Sequence, residues 1–288
     1  MDKTRGYVVL AQNTTDVDYI ELAYALAMSI KLTQSSVNKV CLITDQEVEF
    51  KHIEAFDDIV RINEDDTDPD SDWRINNKWM YYDLSPYDQS MILDVDMIFC
   101  SDVSHWWDAC AGYDMVPTMN VRTYRDDKVI STFYRNAFRL NKLQNVYTGA
   151  YYFEKCDSSE QFFKLVKELF RNWKSVYQTV LPLHTPPNVS ADVIYAIAWD
   201  IMGRVAPDIG LSFVHMKFAV QGWQNVNPNT DVDWTEVIMH YSSDDGRIVI
   251  GNWLQTGIFH YVQKDYIHQN DYMNRLEERY GVFLLQSK

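Results

Sequence analysis

The pattern of apolar and polar residues at the start of the chain predicts a strand, a helix and a second strand. Gly6–Gln12 is a short apolar run that ends in polar residues, which is typical of a buried strand opening into a loop. Apolar residues recur at helical spacing over Tyr19–Leu32, and Val40–Ile43 predicts the second buried strand. Strand, helix and strand within roughly forty residues indicate a parallel α/β unit.

The same alternation of elements continues to the end of the chain. A helix is predicted over Asn76–Leu84, followed by a buried strand over Ser90–Phe99. The pattern also predicts strands over Val146–Phe153 and Val237–Tyr241, and helices over Ser158–Val180, Ala191–Met202 and Gln263–Tyr280. Three prolines cluster in Leu181–Pro187, where a weak internal boundary is expected. The fold class predicted is therefore α/β.

Two carboxylates interrupt the most apolar of these strands. Asp94 and Asp96 lie inside Ser90–Phe99, and burying them costs free energy unless a cation or hydrogen bonds compensate. We expect the strand to end there, with both side chains facing a cleft at its carboxyl end, where open parallel sheets bind ligands. Their oxygens would suit Mn²⁺ or Mg²⁺ together with diphosphate oxygens. The alternative is a pair of surface aspartates at a strand end.

The composition and net charge restrict the size of the fold and the kinds of partner that the protein can bind. The 288 residues are 47% hydrophobic, enough for one large domain or one and a half with a substantial core. The net charge of −15 repels polyphosphate and disfavours simple nucleic-acid binding. Basic residues nevertheless cluster between Asn120 and Lys142. That cluster is either a solvated helix face or a cationic patch for an anionic acceptor.

The cysteines and the amino terminus indicate a cytoplasmic protein. The four cysteines form no CxxC pair and no short disulfide framework, so reduced thiols are expected. The first residues, MDKTRGYVVL, lack the apolar stretch of a signal peptide, and no window predicts a membrane span. The expected location is the cytoplasm of a bacterium or of a phage-infected host.

Several short motifs follow one another in the order of a known enzyme family. The spacing of Tyr19, Ala23 and Ser29 and the segment Ile92–Met97 (ILDVDM) resemble the opening pattern and the metal-binding motif of retaining glycosyltransferases. The family is the GT-A fold, family 8-like group that includes glycogenin and bacterial lipopolysaccharide galactosyltransferases. The resemblance implies a Rossmann-like, mostly parallel central sheet flanked by helices. It also implies a transferase domain over residues 1–260 and a helical extension over 261–288.

The resemblance further implies how a donor and a metal are bound. The implied donor-binding residues are Gln12, Asn13, Thr14 and Tyr19 for the uridine, and Lys78, Asp94, Val95, Thr148 and Gly149 for the diphosphate and sugar. Arg247 is a further donor-binding candidate, as a diphosphate cation in place of the family's Lys-Pro-Trp. Lys78 and Asp192 are the implied catalytic residues, and Asp94, Asp96 and His240 the implied ligands of Mn²⁺ or Mg²⁺. In that comparison Val193 stands where the family has glutamine, Tyr147 replaces an asparagine, and the Lys-Pro-Trp that usually follows the histidine is missing.

Simpler roles for the same side chains stay open. Asn13 and Thr14 are common turn formers, and Asp192 could be an acid in the first turn of a helix. Lys78 and Arg247 could be solvated cations on a helix and a turn.

The function expected is a metal-dependent transfer of a sugar from a UDP-sugar to an acceptor hydroxyl, with retention. The acceptor could be a saccharide, a protein or a modified DNA base, and the oligomeric state is not predicted. The alternative function is a non-catalytic nucleotide-sugar or glycan-binding module on the same fold. A nucleotidyltransferase would need a Gly-rich basic loop after the first strand, and AQNTTDVD contains neither glycine nor lysine.

Overall fold

The computed structural model describes residues 3–63, 74–129, 135–216, 238–243 and 246–286. Its strands are β1 (Arg5–Leu10), β2 (Val40–Thr44), β3 (Asp58–Arg61), β4 (Gln89–Leu93), β5 (Met97–Phe99), β6 (Met115–Thr118), β7 (Asn120–Arg122), β8 (Tyr147–Glu154), β9 (Ser212–His215), β10 (His240–Ser242), β11 (Ile248–Ile250), β12 (Trp253–Leu254) and β13 (Ile258–His260). Its helices are α1 (Tyr19–Thr33), α2 (Phe50–Ile53), α3 (Tyr81–Leu84), α4 (His105–Cys110), α5 (Asn136–Asn141), α6 (Asp157–Arg171), α7 (Trp173–Val180), α8 (Ala191–Ile201) and α9 (Tyr272–Gln286), with 3₁₀ helices at Arg74–Met80 and Gln269–Asp271.

A six-stranded sheet in the order β3-β2-β1-β4-β8-β6 forms the centre of the molecule. Its first four strands are parallel, and β8 pairs antiparallel with both β4 and β6. The predicted mixed α/β architecture with a parallel-rich sheet is therefore confirmed. Parallel strands have both faces covered, which explains why the strand segments at the start of the chain read as continuous apolar runs.

Successive residues of β1 enter two different cores. Tyr7 and Val9 pack on the face covered by α1 and α9, whereas Val8 packs on the face covered by α6 and α8. This follows from the alternation of side chains along a strand. The helix α1 begins where Asp18 Oδ1 accepts hydrogen bonds from the backbone N–H groups of Ile20 and Glu21, each 3.0 Å long.

The segment predicted as one strand over residues 90–99 forms two strands in two sheets. The strand β4 ends at Leu93, and β5 begins at Met97 in a second sheet with the order β5-β13-β9-β7. Between them Asp94 N donates to Gly149 O at 2.7 Å, and Tyr261 N donates to Asp96 O at 3.1 Å. The two aspartates therefore lie where the chain leaves the carboxyl edge of the central sheet, as the sequence predicted.

Two predicted helices have different bounds in the structure. The helix expected over 158–180 is divided at Asn172, whose N–H donates to Glu168 O, and α7 continues beyond it. The last helix begins at Tyr272, after Asp271 with a φ of 57°. It packs on α1, while Tyr280 Oη donates to Glu54 O at 3.1 Å. Among the described residues, no helix has the length and apolar character needed to cross a bilayer.

Candidate metal and nucleotide site

Three metal-ligating side chains converge where β4 leads into β5. One ligand atom from each of Asp94, Asp96 and His260 lies within 4.8 Å of the other two. Asp96 is 5% exposed and His260 is 8% exposed, while Asp94 is half-buried. Buried carboxylates without a cation are costly, and two carboxylates with one imidazole suit a divalent ion such as Mn²⁺ or Mg²⁺. The chemistry and the burial of this group therefore fit the implied metal.

The histidine predicted to complete the metal site, His240, is not a member of this group of described residues. His240 is on β10, where its Nδ1 is 3.3 Å from Tyr266 Oη, and β10 pairs with β11 in a small three-stranded sheet. His260 joins the aspartates because β13 pairs with β5, the strand that directly follows Asp96. His260 also follows an apolar run, Ile258–Phe259, so in the sequence it has the same position at the end of an apolar run as His240. Strand pairing, which the sequence does not display, distinguishes the two histidines.

Two lysines contact the aspartates of this group. Lys78 Nζ, on the 3₁₀ helix before α3, is 2.5 Å from Asp94 Oδ1. Lys264 Nζ forms an ion pair with Asp96 Oδ2, and His260 Nε2 is 3.1 Å from Asp96 Oδ1. Lys78 was predicted as a site residue, whereas Lys264 was not. In the sequence, Lys264 is marked only by its position four residues after His260, which is a weak signal for a site residue.

The carboxylate of Asp96 shifts the pKa values of its two neighbours, His260 and Lys264, and its own pKa is shifted by them. Burial by itself raises the pKa of Asp96, but His260 and Lys264 outweigh burial and hold that pKa well below its usual range. Burial by itself lowers the pKa values of His260 and Lys264, but Asp96 outweighs burial and raises both. Asp96 is therefore a carboxylate at neutral pH, which ligation of a metal requires.

A cavity of about 210 Å³ opens beside this group. Among the described residues, its lining consists of Leu10, Gln12, Tyr19, Lys78, Tyr81, Asp94, Val95, Asp96 and Lys264. Of the residues predicted from the sequence, Gln12, Tyr19, Lys78, Asp94, Val95 and Asp96 thus share one cavity. They meet because the loops that follow β1 and β4 leave the same edge of the parallel sheet.

A chain of hydrogen bonds holds Gln12 in the wall of this cavity. Gln12 is 2% exposed, and its Nε2 donates to Asp45 Oδ2 at 2.7 Å. Asn77 Nδ2 donates to Gln12 Oε1, also at 2.7 Å. A carboxylate can only accept, so the orientation of the Gln12 amide is determined by Asp45. Asp45 directly follows β2 at the same sheet edge, and no pattern in the sequence marks it as a site residue.

Asn13, Thr14 and Arg247 are not in the lining described for the cavity. Asn13 Oδ1 accepts from Ile20 N at 3.0 Å, and Thr14 Oγ1 accepts from Val17 N at 3.2 Å. These contacts correspond to the turn-forming alternative considered for the two residues. Arg247 is exposed in the turn before β11, with its backbone N–H donating to Ser243 Oγ at 3.1 Å.

Gly149 allows β8 to approach the metal-ligating group closely. A Cβ atom at this position would lie 2.9 Å from Met97 Cε and 3.4 Å from Asp94 Oδ2. The neighbouring Thr148 is buried and donates to Asp192 Oδ1 through both its backbone N and its Oγ1, each at 2.8 Å. Gly149 thus leaves room for the Asp94 side chain, and Thr148 fixes this part of β8 to Asp192.

Asp192 forms an ion pair inside the protein. Its Oδ2 is 2.5 Å from Arg135 Nη1, and Arg135 is held between the rings of Phe138 and Tyr147, at 3.7 and 4.1 Å from their centroids. Burial raises the pKa of Asp192, but Arg135 and Thr148 outweigh burial and lower it overall. Both carboxylate oxygens already have partners. The ion pair, which the sequence did not indicate, joins the start of α8 to the residue before α5, and the Thr148 hydrogen bonds join α8 to β8.

Replacing Arg135 with methionine is expected to lower the free energy of unfolding by about 2–4 kcal/mol, because it removes the counter-ion of a largely buried carboxylate. The substitution keeps the apolar stem but leaves Asp192, whose side chain is 23% exposed, without its ion-pair partner. Urea denaturation monitored by tryptophan fluorescence would measure the loss.

The double variant Arg135→Met, Asp192→Asn is the control, and it should recover part of the lost stability because no charge stays unpaired. The pH dependence gives a second test. Because the folded pKa of Asp192 is lowered, its contribution is present above its unfolded pKa of about 4 and lost as pH falls through the folded value. Asp192→Asn should therefore weaken the acid dependence of unfolding. Equal stability of wild type and Arg135→Met would contradict this role.

Two arginines of the basic segment between residues 120 and 142 form ion pairs with carboxylates of the protein. Arg122 Nη1 is 2.5 Å from Asp126 Oδ1, and Arg135 forms the ion pair with Asp192. Residues 130–134 of this segment lie outside the described part of the chain. In the part that is described, these two arginines are neutralised by the protein itself.

Comparison with known proteins gives matches at the level of structure. No family model and no curated protein sequence matches the chain. The galactosyltransferase LgtC in complex with donor and acceptor sugar analogues superposes with a TM-score of 0.52 at 12% identity, over 96% of this chain and 95% of that one. An active-site mutant of LgtC gives the same values.

Two further glycosyltransferases are longer than this chain. GlyE of Streptococcus pneumoniae TIGR4 superposes with a TM-score of 0.50 at 11% identity, over 98% of this chain and 63% of GlyE. WbbM, a bifunctional glycosyltransferase, is covered over 35% of its length, with a TM-score of 0.39 at 13% identity. The chain therefore has the GT-A fold of LgtC and GlyE, as the sequence resemblance implied.

Proposed function

We propose that this chain is a metal-dependent glycosyltransferase that moves a sugar from a UDP-sugar to an acceptor hydroxyl, with retention at the anomeric carbon. The proposal depends on one observation: Asp94 and Asp96, which form a group of three ligands with the buried His260, line a cavity that two lysines also line. The fold shared with LgtC, solved with donor and acceptor sugar analogues, supports the same reaction class.

Asp94, Asp96 and His260 would hold the metal, which we propose to be Mn²⁺ or Mg²⁺. When bound there, a divalent ion supplies Lewis-acid neutralisation of the departing diphosphate. The protein would hold the metal ligands in position before the donor binds. The backbone bonds from Asp94 to Gly149 and from Tyr261 to Asp96 hold the ligand-bearing segment in place.

Lys78 and Lys264 would stabilise the charge that develops on the leaving group. Both side chains line the cavity and are largely shielded from solvent, with exposed fractions of 13% and 33%. An ammonium group stabilises a phosphate more strongly in such a site than in bulk water. Lys78 keeps the catalytic role that the resemblance implied, and Lys264 takes the role assigned earlier to Arg247.

Gln12 and Tyr19 would contact the nucleoside. Gln12 is held between Asp45 and Asn77, so its amide needs little ordering when a base binds. The Tyr19 ring adds an apolar surface in the same cavity.

Asp192 would act by positioning Thr148 and Gly149. Its oxygens are bound to Arg135 and Thr148, so it supports the β8 segment next to Asp94. In this proposal the residue shapes the donor-sugar end of the site without contacting the reacting carbon.

The acceptor we propose is a saccharide or protein hydroxyl. Arg122 and Arg135 of the basic segment are paired with Asp126 and Asp192, and the net charge of −15 opposes approach of a polyanion. A DNA acceptor would make transfer fall steeply as salt increases, whereas a neutral acceptor would not.

Calorimetric titration of UDP, with and without Mn²⁺, tests the proposal. We expect measurable binding only when Mn²⁺ is present, followed by slow hydrolysis of the matching UDP-sugar when no acceptor is supplied. Metal-dependent binding without any turnover would favour the non-catalytic binding module, which the valine at position 193 also favours. Absence of UDP binding in the presence of Mn²⁺ would remove the basis of the proposed function.

A further inference from the structure

Each aspartate of the candidate metal site already has a lysine on one of its oxygens. Lys78 Nζ lies 2.5 Å from Asp94 Oδ1, and Lys264 Nζ pairs with Asp96 Oδ2. The second oxygen of Asp96 is 3.1 Å from His260 Nε2. An ion that uses these carboxylates must therefore compete with bound ammonium groups.

Two lysines neutralise the two carboxylates of the centre before any metal binds. The carboxylates of Asp94 and Asp96 are matched by the ammonium groups of Lys78 and Lys264. Adding a divalent cation alone would leave two excess positive charges in a partly buried site, which is unfavourable. A nucleoside diphosphate brings negative charge, so the metal and the nucleotide each compensate for the other.

The lysines can leave the aspartates without leaving the site. Lysine carries a compact charge on a flexible stem of four carbons, and its three donors can change partners readily. Both lysines line the same cavity as the two aspartates. An ammonium group displaced from a carboxylate is therefore still within the space that the phosphates would occupy.

We propose that Lys78 and Lys264 are exchangeable counter-ions that couple metal binding to nucleotide binding. They neutralise Asp94 and Asp96 in the empty protein, and they transfer to the diphosphate when the metal takes the carboxylates. The inference rests on the proposed function, because it takes a nucleoside diphosphate as the ligand. The consequence is that metal and nucleotide bind cooperatively, and that each alone binds weakly.

The experiment measures the affinity for Mn²⁺ alone and in the presence of saturating UDP, by calorimetry or by the electron paramagnetic resonance signal of free Mn²⁺. In the wild type we expect UDP to raise the affinity for Mn²⁺ roughly 10- to 100-fold. Lys78→Met and Lys264→Met should each bind Mn²⁺ alone about 5- to 10-fold more tightly than wild type, since a competing cation is gone. The enhancement by UDP should shrink in both variants, because the diphosphate loses an ammonium partner.

Lys31 provides a matched control within the same chain. Its side chain is 13% exposed, as is that of Lys78, and its Nζ is likewise 2.5 Å from a carboxylate, that of Asp57. Lys31→Met should leave both affinities for Mn²⁺ unchanged. Lys264→Arg keeps the charge on Asp96 and should bind Mn²⁺ alone no more tightly than wild type, which separates competition from a loss of folding.

The proposal is overturned if Lys78→Met and Lys264→Met, shown to be folded by circular dichroism, bind Mn²⁺ alone no more tightly than wild type. It is also overturned if UDP enhances Mn²⁺ binding equally in wild type and both variants. Failure of the proposed function has a different signature: UDP then binds no form of the protein. The comparison with Mn²⁺ alone still tests whether the lysines compete for the carboxylates.

Discussion

Replacing Asp96 with asparagine is expected to lower the affinity for Mn²⁺ by roughly 100-fold or more, which corresponds to about 3 kcal/mol. Asp96 is 5% exposed, and its two oxygens contact His260 and Lys264. The asparagine is nearly the same size but carries no charge, so it binds a divalent cation much more weakly. Titration of Mn²⁺ into protein with excess UDP measures the loss, and metal-dependent UDP binding should disappear with it.

The matched control is Asp108→Asn, which removes an exposed carboxylate on α4. It should leave the affinity for Mn²⁺ unchanged, since general charge reduction has little effect at a distance in moderate salt. Thermal unfolding without metal shows whether Asp96→Asn damages the fold. A folded Asp96→Asn protein with wild-type affinity for Mn²⁺ would mean that Asp96 is no ligand.

Replacing His260 with alanine is expected to lower the affinity for Mn²⁺ roughly 10- to 100-fold, or about 1.4–2.7 kcal/mol. His260 Nε2 points at Asp96 Oδ1, and its ring is held at the end of β13 beside β5. Its Nδ1 is buried and has no hydrogen-bond partner among the residues that the structure describes. Loss of the imidazole removes one of three protein ligands but leaves both carboxylates, so the effect should be smaller than that of Asp96→Asn.

The decisive comparison is His240→Ala in the same titration. His240 lies on a different sheet from His260 and contacts Tyr266, so we expect its replacement to change the affinity for Mn²⁺ by less than about twofold. The lost contact with Tyr266 should cost about 1 kcal/mol of stability. The opposite result, with loss of metal binding in His240→Ala alone, would restore the ligand set that the sequence resemblance implied.

Much of the central sheet could be predicted because its signals are local. The apolar runs at β1 and β2 and the helical spacing of α1 between them depend on the nearest residues along the chain. The bounds of α9 and the break at Asn172 could not be predicted, because helix ends depend on caps and packing partners. The assignment of residues 1–260 and 261–288 to separate units stays a prediction.

The carboxylate pair could be predicted because two charged residues stand inside an otherwise apolar segment. Asp94 and Asp96 stand between apolar residues that indicate burial, and charged groups do not persist there without a compensating cation. The partners of these charges are distant in sequence. Lys264 lies 168 residues from Asp96, and Arg135 lies 57 residues from Asp192.

The sequence by itself thus determined the α/β class and the strand that ends at the aspartates. Of the loop residues that the resemblance implied, Gln12 lines the cavity, whereas Asn13 and Thr14 are not in its described lining. The tertiary structure alone decided that His260 and not His240 stands beside Asp96, and that Asp192 is held by Arg135. The physical reason is that periodicity and local charge are properties of neighbouring residues, whereas a metal site is assembled by strand pairing. The pairing of β13 with β5 depends on the packing of the whole second sheet.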